Sequence, residues 1–305
     1  MTNKKEKRFL KQALLVAFIC TVSAMPAMAA PIVLPPVVEP VSQEQHIGKI
    51  IFVELATPDL AASKRFYGEL LGWTFKDIQS GETEYSEAFH HGFPVAGLIH
   101  KELPADEHRQ PAWLSFFSVR DVNAVTSIAV QNGAKVLFEP HDIPNRGEEA
   151  VIADPQGAVF AVLHSSSGDP QDVLVEPGEW IWNSLHTTDP DTDAAFYQKL
   201  FNYEVFDLSS GKSLQHLLLA SDNTARASAN PLPENKPHVH PHWLNYVRVD
   251  DADDMAEKVV ALGGRVLVEP HKDRHGGKVA VVADPMGAPF GLFEWPDTES
   301  KEVSQ

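Results

Sequence analysis

The sequence predicts an α+β protein built from two tandem domains of one plan. Three landmarks recur at a constant spacing of 130 residues. These landmarks and their second copies are Asp59 and Asp189, Glu139 and Glu269, and Asp154 and Asp284. Stacked repeats have periods of about 20–50 residues, so a repeat of this length indicates two copies of a whole domain. Within each copy, β-type runs and amphipathic helices alternate in the order strand-helix-strand-strand-strand, and this unit occurs twice.

The segment before the first copy is predicted to direct export. Basic residues precede an apolar run at 13–22, and Ala27-Met28-Ala29 supplies a cleavage site, so residues 1–29 are typical of a signal peptide. The apolar run is too short to span a bilayer, which requires about 20 residues. Residues 30–47 are rich in proline and are predicted to be a spacer. We therefore expect a periplasmic or secreted protein.

The first domain, residues 48–165, is predicted to contain two of these βαβββ units. The run at 49–56 is typical of a strand, and Asp59 then caps a helix that Gly72 ends. The pattern restarts with a strand at 113–119. The remaining elements are a helix at 121–132 and strands near 73–79, 83–90, 94–100, 135–139, 149–153 and 158–164.

The second domain, residues 179–296, follows the same plan after a linker at 166–178. Residues 297–305 are predicted to form a tail. Four βαβββ units would close two curved sheets. Each sheet would surround a cleft, because side chains that alternate along the strands line one face.

Composition excludes several classes of function. The formal net charge of −17 would repel phosphate backbones and anionic lipid heads, so nucleic acid is not expected as a partner. Cys20, the single cysteine, lies within the predicted signal peptide, so the mature chain would have no disulfide and no thiolate site. The chain also lacks a Gly-x-Ser-x-Gly elbow, a phosphate loop and a dinucleotide fingerprint. We expect a small-molecule partner, no membrane association after signal cleavage, and a monomer or homodimer.

Two motifs resemble those of a known superfamily. The helix motif is Phe66-Tyr67 followed by Leu70-Leu71-Gly72-Trp73, and the loop motif is Asp154-Pro155-Gln156-Gly157-Ala158. They return in the second copy as Phe196-Tyr197 and Asp284-Pro285-Met286-Gly287-Ala288. Together with the duplicated plan, these motifs make the chain similar to the vicinal oxygen chelate superfamily, which includes glyoxalase I, extradiol dioxygenases, and the bleomycin and fosfomycin resistance proteins. The resemblance implies two tandem vicinal-oxygen-chelate domains.

The resemblance also implies positions for a divalent ion held by His or Glu on the inner face of each sheet. Family spacing places these ligands at Phe52, Leu114 and Ala161 in the first copy and at Trp182, Leu244 and Gly291 in the second. None of these side chains can ligate a metal, so no metal cofactor is expected at the family positions. The leading hypothesis is therefore binding or sequestration of a small organic molecule in aromatic-lined clefts, as in the resistance-protein branch.

Other functions are compatible with the same residues. One is a lyase, isomerase or dioxygenase-type enzyme in which Glu54, on the same face as Phe52, acts as a general acid or base. The simpler interpretation is a polar residue that hydrogen-bonds within the cleft. Such an enzyme could instead hold a divalent metal at His238, His240 and His242, although a solvated loop at the cleft rim explains the same residues. A weaker alternative is an envelope interaction protein with decayed pockets.

Further candidate ligand-binding residues follow from the duplication. Ser184 is the counterpart of Glu54, and His186 lies two residues further along. His141 and His271 recur after a Glu-Pro pair, where a loop leaves the sheet. The candidate aromatic residues are Phe52, Trp113 and Phe117 in the first cleft and Trp182, Trp243 and Tyr246 in the second. Aromatic side chains in place of metal ligands would favour a planar or hydrophobic ligand.

Overall fold

The computed structural model describes residues 32–80, 83–102, 111–209, 215–233, 238–273 and 276–296. The predicted signal peptide, the first two residues of the predicted spacer and the predicted tail lie outside these ranges. Within them, no helix is both long enough and apolar enough to cross a membrane.

The first domain folds into one mixed sheet. Its strands are β1 (Ile50–Thr57), β2 (Thr74–Ser80), β3 (Thr83–His90), β4 (Phe93–His100), β5 (Ala112–Ser118), β6 (Lys135–Ile143), β7 (Gly147–Ala153) and β8 (Val159–Ser165). Their order across the sheet is β2-β3-β4-β1-β5-β8-β7-β6. The central strands β1 and β5 run antiparallel, and each pairs in parallel with the last strand of its own unit.

The second domain repeats this sheet. Its strands are β9 (Trp180–Thr187), β10 (Glu204–Asp207), β11 (Leu217–Ser221), β12 (Thr224–Pro231), β13 (His242–Val249), β14 (Arg265–Lys272), β15 (Lys278–Ala283) and β16 (Pro289–Glu294). The order β10-β11-β12-β9-β13-β16-β15-β14 matches that of the first sheet strand for strand. The prediction of an α+β fold with two copies of one curved sheet is confirmed.

The helices lie on the side of each sheet that faces the other domain. They are α1 (Leu60–Leu71), α2 (Val122–Gln131), α3 (Pro190–Phe201) and α4 (Ala252–Ala261). Each follows an aspartate whose side chain accepts a hydrogen bond from a backbone N–H of the first turn, as at Asp59. Helix α1 ends at Gly72, whose φ of 75° is the left-handed conformation that glycine adopts without steric cost.

The two domains pack through reciprocal contacts between the recurring motifs. Tyr67 of the first domain donates its hydroxyl to Asp284 Oδ2 of the second over 3.2 Å. Tyr197 of the second domain donates in the same way to Asp154 Oδ2 of the first over 3.0 Å. The helix motif of each copy is therefore joined to the loop motif of the other, which gives these residues a structural role.

The interface between the domains is also a continuous hydrophobic core. Helix α1 packs with α4 and the second sheet in one buried cluster, and α2 packs with α3 in another. At the centre, Ser115 donates to Asn245 Oδ1 over 2.9 Å, and these two residues are themselves counterparts at the 130-residue spacing. Because both cores contain side chains from both domains, the pair should fold as one unit.

The described part of the predicted spacer packs against the first sheet. Leu34 and Val37 are buried, with 7% and 3% of their surface exposed. Val38 N donates to Ser167 Oγ over 3.0 Å, and Ser42 N donates to the Ser167 carbonyl over 2.8 Å. The composition predicts a spacer, yet this segment holds a fixed position on the sheet, which we call the strap (residues 32–38).

Candidate functional site

Side-chain alternation gives each sheet one face toward the other domain and one face toward its own cleft. On β1, Val53 and Leu55 belong to the core between the domains. Phe52 and Glu54 therefore face the first cleft. The same alternation places Trp182, Ser184 and His186 of β9 in the second cleft, since Leu185 belongs to the core between the domains.

Three of the predicted cleft residues face the wrong way. Trp113, Phe117 and Trp243 are buried in the cores between the domains and do not line a cleft. The indole N–H of Trp113 donates to Tyr67, and that of Trp243 donates to Tyr197. Strand parity explains the error. Side chains an odd number of residues apart on one strand point to opposite faces, so Leu114 and Phe116 face the first cleft, and Tyr246 faces the second.

A buried arginine fills the first cleft. Arg146 lies in the turn between β6 and β7, beside Asn145 and Gly147, which have φ angles of 65° and 124°. Its guanidinium is 2% exposed, and its Cζ lies 4.1 Å from the centroid of the Phe52 ring. Its Nη2 donates to Glu87 Oε2 over 2.9 Å. The guanidinium thus forms a buried ion pair with Glu87 and stacks on the ring of Phe52, one of the positions that the resemblance implies for a metal ligand.

Two further carboxyl groups surround this ion pair. Burial raises the pKa of Glu54 to about 7, opposed by Arg146, and burial together with the charge of Glu54 raises the pKa of Glu149 to about 8. Arg146 Nε and Nη1 have no hydrogen-bond partner. At neutral pH, the cluster therefore holds one ion pair and two carboxyls that are partly or wholly protonated. These groups could exchange protons with each other or with a bound molecule.

His141 lies at the edge of this cluster. Its ring packs edge-on against Phe138, with the centroids 4.1 Å apart, and its Nε2 is 3.7 Å from Glu149 Oε1. Burial lowers the pKa of His141. Its counterpart His271 is exposed, and both rings interact through Nδ1 with the carbonyl of the glutamate two residues before them. The prediction that a loop leaves the sheet at this motif is wrong: Glu-Pro-His lies within β6 and β14, at an irregularity in the pairing of each strand. His141 reaches the cleft cluster because it pairs with Glu149 across the sheet.

The strap closes the first cleft. Val37 packs with Phe52, Leu114 and Phe116 on the inner face of the sheet. Leu34 packs with Tyr85, among other residues, near the end of the same face. The first cleft is thus filled by Arg146 with its carboxyl partners and covered by apolar side chains of the strap.

Among the described residues, neither the charged side chains nor the strap of the first cleft has a counterpart in the second. Ser184 replaces Glu54, Val279 replaces Glu149, and Gly276 replaces Arg146 at the 130-residue spacing. In the first sheet, Glu54 and Glu87 pair with the same residue of β4. The residue in the position of Glu87 in the second sheet is Leu218. None of these four counterpart positions in the second domain has a charged side chain.

Aromatic rings and hydroxyls line the second cleft. Trp182 is half-buried, and its indole N–H donates to Ser228 Oγ over 3.3 Å. Ser184 Oγ lies 2.8 Å from the same oxygen. The ring of Tyr246 packs directly over Gly291, where any Cβ would collide with it. Phe293 packs beside Tyr246.

At the positions that the resemblance implies for a metal, the chain has side chains other than His, Cys, Asp or Glu. In the first cleft they are Phe52, Leu114 and Ala161, which have no donor atoms; in the second, the Tyr246 ring covers Gly291. In the histidine-rich segment, His242 begins β13, and its Nδ1 lies 2.7 Å from the carbonyl of His240. Across the described residues, no group of three or more His, Cys, Asp or Glu side chains is placed to hold a metal.

The sequence interpretation selected Glu54 but missed its partners. Glu149 carries a usable signal, because it begins a predicted strand with Val151 and shares its face. Arg146 lies in a turn, where no periodicity predicts a direction. Glu87 lies on a predicted strand, but only the sheet register shows that it faces Glu54.

The chain is a protein of two tandem domains, each with an eight-stranded sheet of the same strand order. Comparison with known proteins identifies its family. Residues 47–162 match the family model for the glyoxalase/bleomycin resistance protein/dioxygenase superfamily, and residues 182–293 match a glyoxalase-like domain. CFP32 of Mycobacterium tuberculosis, named as a proposed glyoxylase, is 32% identical over 259 residues, which cover 84% of this chain and 98% of that protein. The chain belongs to this superfamily.

Other similar proteins differ in the roles that their names give. The anthracycline biosynthesis protein DauV of a Streptomyces species is 31% identical and covers 81% of this chain and 93% of its own length. Among solved structures, a Mn(II)-bound glyoxalase from Novosphingobium aromaticivorans has a TM-score of 0.57 at 16% identity, with 82% of each chain covered. Homoprotocatechuate 2,3-dioxygenase from Brevibacterium fuscum has a TM-score of 0.58 at 15% identity, covering 90% of this chain and 84% of that one. At these identities, the two structures show a shared fold.

Proposed function

We propose that this protein binds a small, planar and largely apolar organic molecule in the second cleft, without the usual metal of the superfamily. The observation that carries the proposal is the contrast between the clefts. The first is filled by Arg146 and covered by the strap, whereas the described part of the second has the half-buried Trp182 beside Tyr246 and uncharged residues at the positions of Arg146, Glu54, Glu87 and Glu149. A flat aromatic surface with a few hydroxyls suits a ring that stacks and makes a few directed hydrogen bonds.

The first cleft supports this assignment by analogy. Its inner face buries Leu34 and Val37 of the strap, so the same curved surface accommodates an apolar occupant. In the second sheet, Val268 is 36% exposed, although its counterpart Phe138 packs against the filled first cleft. A ligand would cover this apolar surface in the second domain. A relative named for anthracycline biosynthesis is consistent with an aromatic ligand.

The direct test measures binding by purified mature protein to a panel of neutral bicyclic aromatic compounds. We expect binding at one site per chain, a rise in melting temperature, and no change on addition of a chelator. Trp182→Ala should weaken binding by about two- to tenfold, because stacking on one aromatic ring contributes about 0.5–1.5 kcal/mol. The matched control is Phe93→Ala, which removes an aromatic ring that is 56% exposed in the first domain. A stoichiometric, tightly held divalent metal, or equal effects of both variants, would contradict the proposal.

We also propose that signal cleavage exports the protein to the periplasm or the medium. The basic and apolar N-terminal residues support this proposal. Cell fractionation and N-terminal sequencing test it. A mature chain that begins near Ala30 is expected, and retention of Met1 in the cytoplasm would contradict export.

A second candidate function is acid–base catalysis in the first cleft. It is favoured by the buried pair Glu54 and Glu149, whose raised pKa values suit proton transfer near neutral pH. The test follows deuterium uptake from D2O into small ketones and aldehydes. Glu54→Gln should abolish exchange and leave the fold intact, whereas the exposed Glu139→Gln should not change it. Equal exchange by both variants would remove Glu54 from the site.

A further inference from the structure

A row of polar side chains crosses the second cleft near one end. It contains one residue from each of three adjacent strands and a fourth just before β11: His216, Asn230, His186 and His242. The backbone register pairs Asn230 with His186, and His186 with His242. His216 Nδ1 lies 2.6 Å from Asn230 Oδ1. Alternation places all four on the cleft face, because their sequence neighbours Leu185, Ala229 and Trp243 are buried between the domains.

The equivalent row in the first cleft is mostly apolar. Register and spacing assign Tyr85, Ile99, Ala56 and Ala112 to the same four positions. Leu34 of the strap packs on this row. Two alanines, an isoleucine and a tyrosine beneath an apolar cover have therefore been replaced by three imidazoles and an amide. This contrast assigns a different occupant to the second row.

The hydrogen-bond capacity of the row centres on two stacked imidazoles. The rings of His186 and His242 lie 5.3 Å apart with an interplanar angle of 19°. Because His242 Nδ1 donates to the carbonyl of His240, its Nε2 is left as an acceptor. His186 Nε2 is buried and has no hydrogen-bond partner among the residues that the structure describes. A buried polar atom without a partner costs about 1–3 kcal/mol, so a ligand group that satisfied it would gain affinity.

The charge of the row restricts the ligand further. Burial lowers the pKa of both imidazoles, that of His186 to about 3, so both rings are neutral at physiological pH. The row contains no carboxylate to attract a cation and no ammonium or guanidinium group to attract an anion. A neutral ligand that carries hydrogen-bond donors matches these groups best.

We propose that His242 and His186 form the polar end of the second cleft, where His242 accepts a hydrogen bond from a hydroxyl or ring N–H of a neutral aromatic ligand. This inference rests on the proposed function and names its ligand class. The ligand ring lies toward Trp182 and Tyr246, and its donor edge lies toward the imidazole pair. His186 lies beside His242 on the adjacent strand, and its ring stacks on the His242 ring.

The test compares two probes of similar shape, 2-naphthol and 2-methoxynaphthalene, by calorimetry with mature protein. The ether keeps the ring and the oxygen but has no donor. We expect 2-naphthol to bind about tenfold more tightly, the effect of one buried hydrogen bond. His242→Phe, which keeps a stacking ring without an acceptor, should reduce 2-naphthol to the affinity of the ether and leave the ether unchanged. His271→Phe is the matched control, because His271 is exposed and outside the row.

The outcomes separate the two claims. Equal binding of both compounds to the wild-type protein would overturn the donor inference and leave the proposed function standing. Binding of neither compound would overturn both. If His242→Phe does not fold, His242→Gln keeps an acceptor and should retain part of the preference for 2-naphthol. A loss of all binding by that variant would contradict the assigned role.

Discussion

The buried ion pair of the first cleft yields the sharpest stability prediction. Arg146→Met removes the guanidinium but keeps a long apolar side chain that can still pack on Phe52. Glu87, which is fully buried, would then lose its hydrogen-bonded counter-charge. Leaving one charge of a buried pair unpaired costs about 3–5 kcal/mol. We therefore expect the free energy of unfolding at pH 8 to fall by about that amount.

Urea unfolding followed by circular dichroism measures this change. The double variant Arg146→Met, Glu87→Gln should recover much of the loss, with a coupling energy of about 2–3 kcal/mol, because the residue at position 87 then has no charge that needs a partner. The matched control is Lys64→Met. It breaks the ion pair with Asp77, whose side chain is 70% exposed, and should cost about 0–1 kcal/mol.

The cost of Arg146→Met should also shrink at pH 5, because an unpaired, buried Glu87 becomes protonated more readily. The reasoning is refuted if Arg146→Met and Lys64→Met destabilise equally at pH 8. It is also refuted if the double variant is no more stable than Arg146→Met alone.

The carboxyl groups of the first cleft, the strap and the contact between the domains each give one further prediction. The pKa values of Glu54 and Glu149, about 7 and 8, lie above the usual 4.5, so the folded state binds the extra protons. The free energy of unfolding gained from these protons is full below about pH 4.5 and is lost as the pH rises to 8. Glu149→Gln should make the free energy of unfolding, measured in urea titrations, depend less on pH. Leu34→Asp should detach the strap and speed cleavage of the N-terminal segment by protease, whereas an unchanged cleavage rate would contradict its burial. Tyr67→Phe should cost about 1–3 kcal/mol, because Asp284 loses a hydrogen bond between the domains, and an unchanged melting temperature would contradict this role.

The sequence predicts the fold well because the duplication checks every element twice. The cap at Asp59, the stop at Gly72 and the strand-helix order are local signals, and the structure agrees with them. The direction of side chains in the clefts also follows from alternation where the parity is applied correctly. Trp113 and Trp243 face the core between the domains and not the clefts. Alternation alone does not show this, because it gives the face of each side chain only after one residue of the strand has been assigned to a face.

The rest depends on contacts that no local pattern contains. Arg146 enters the cleft from a turn, and its direction is set by Glu87, 59 residues earlier in the chain. Proline-rich composition predicts a spacer, but the burial of Leu34 and Val37 depends on an apolar groove formed by distant strands. Similarly, the row through His186 and His242 exists only once the register of four strands is known. These long-range contacts, rather than the motifs, distinguish the two clefts.

A crystal structure of the protein with 6-bromo-2-naphthol shows directly which cleft holds the ligand, because bromine gives an anomalous signal at the ligand itself. We expect one bromine site per chain, in the second cleft against Trp182 and Tyr246, with the hydroxyl toward His242. The first cleft should retain the strap over Arg146. A bromine site beside Phe52, or a divalent ion bound within either cleft, would contradict the account.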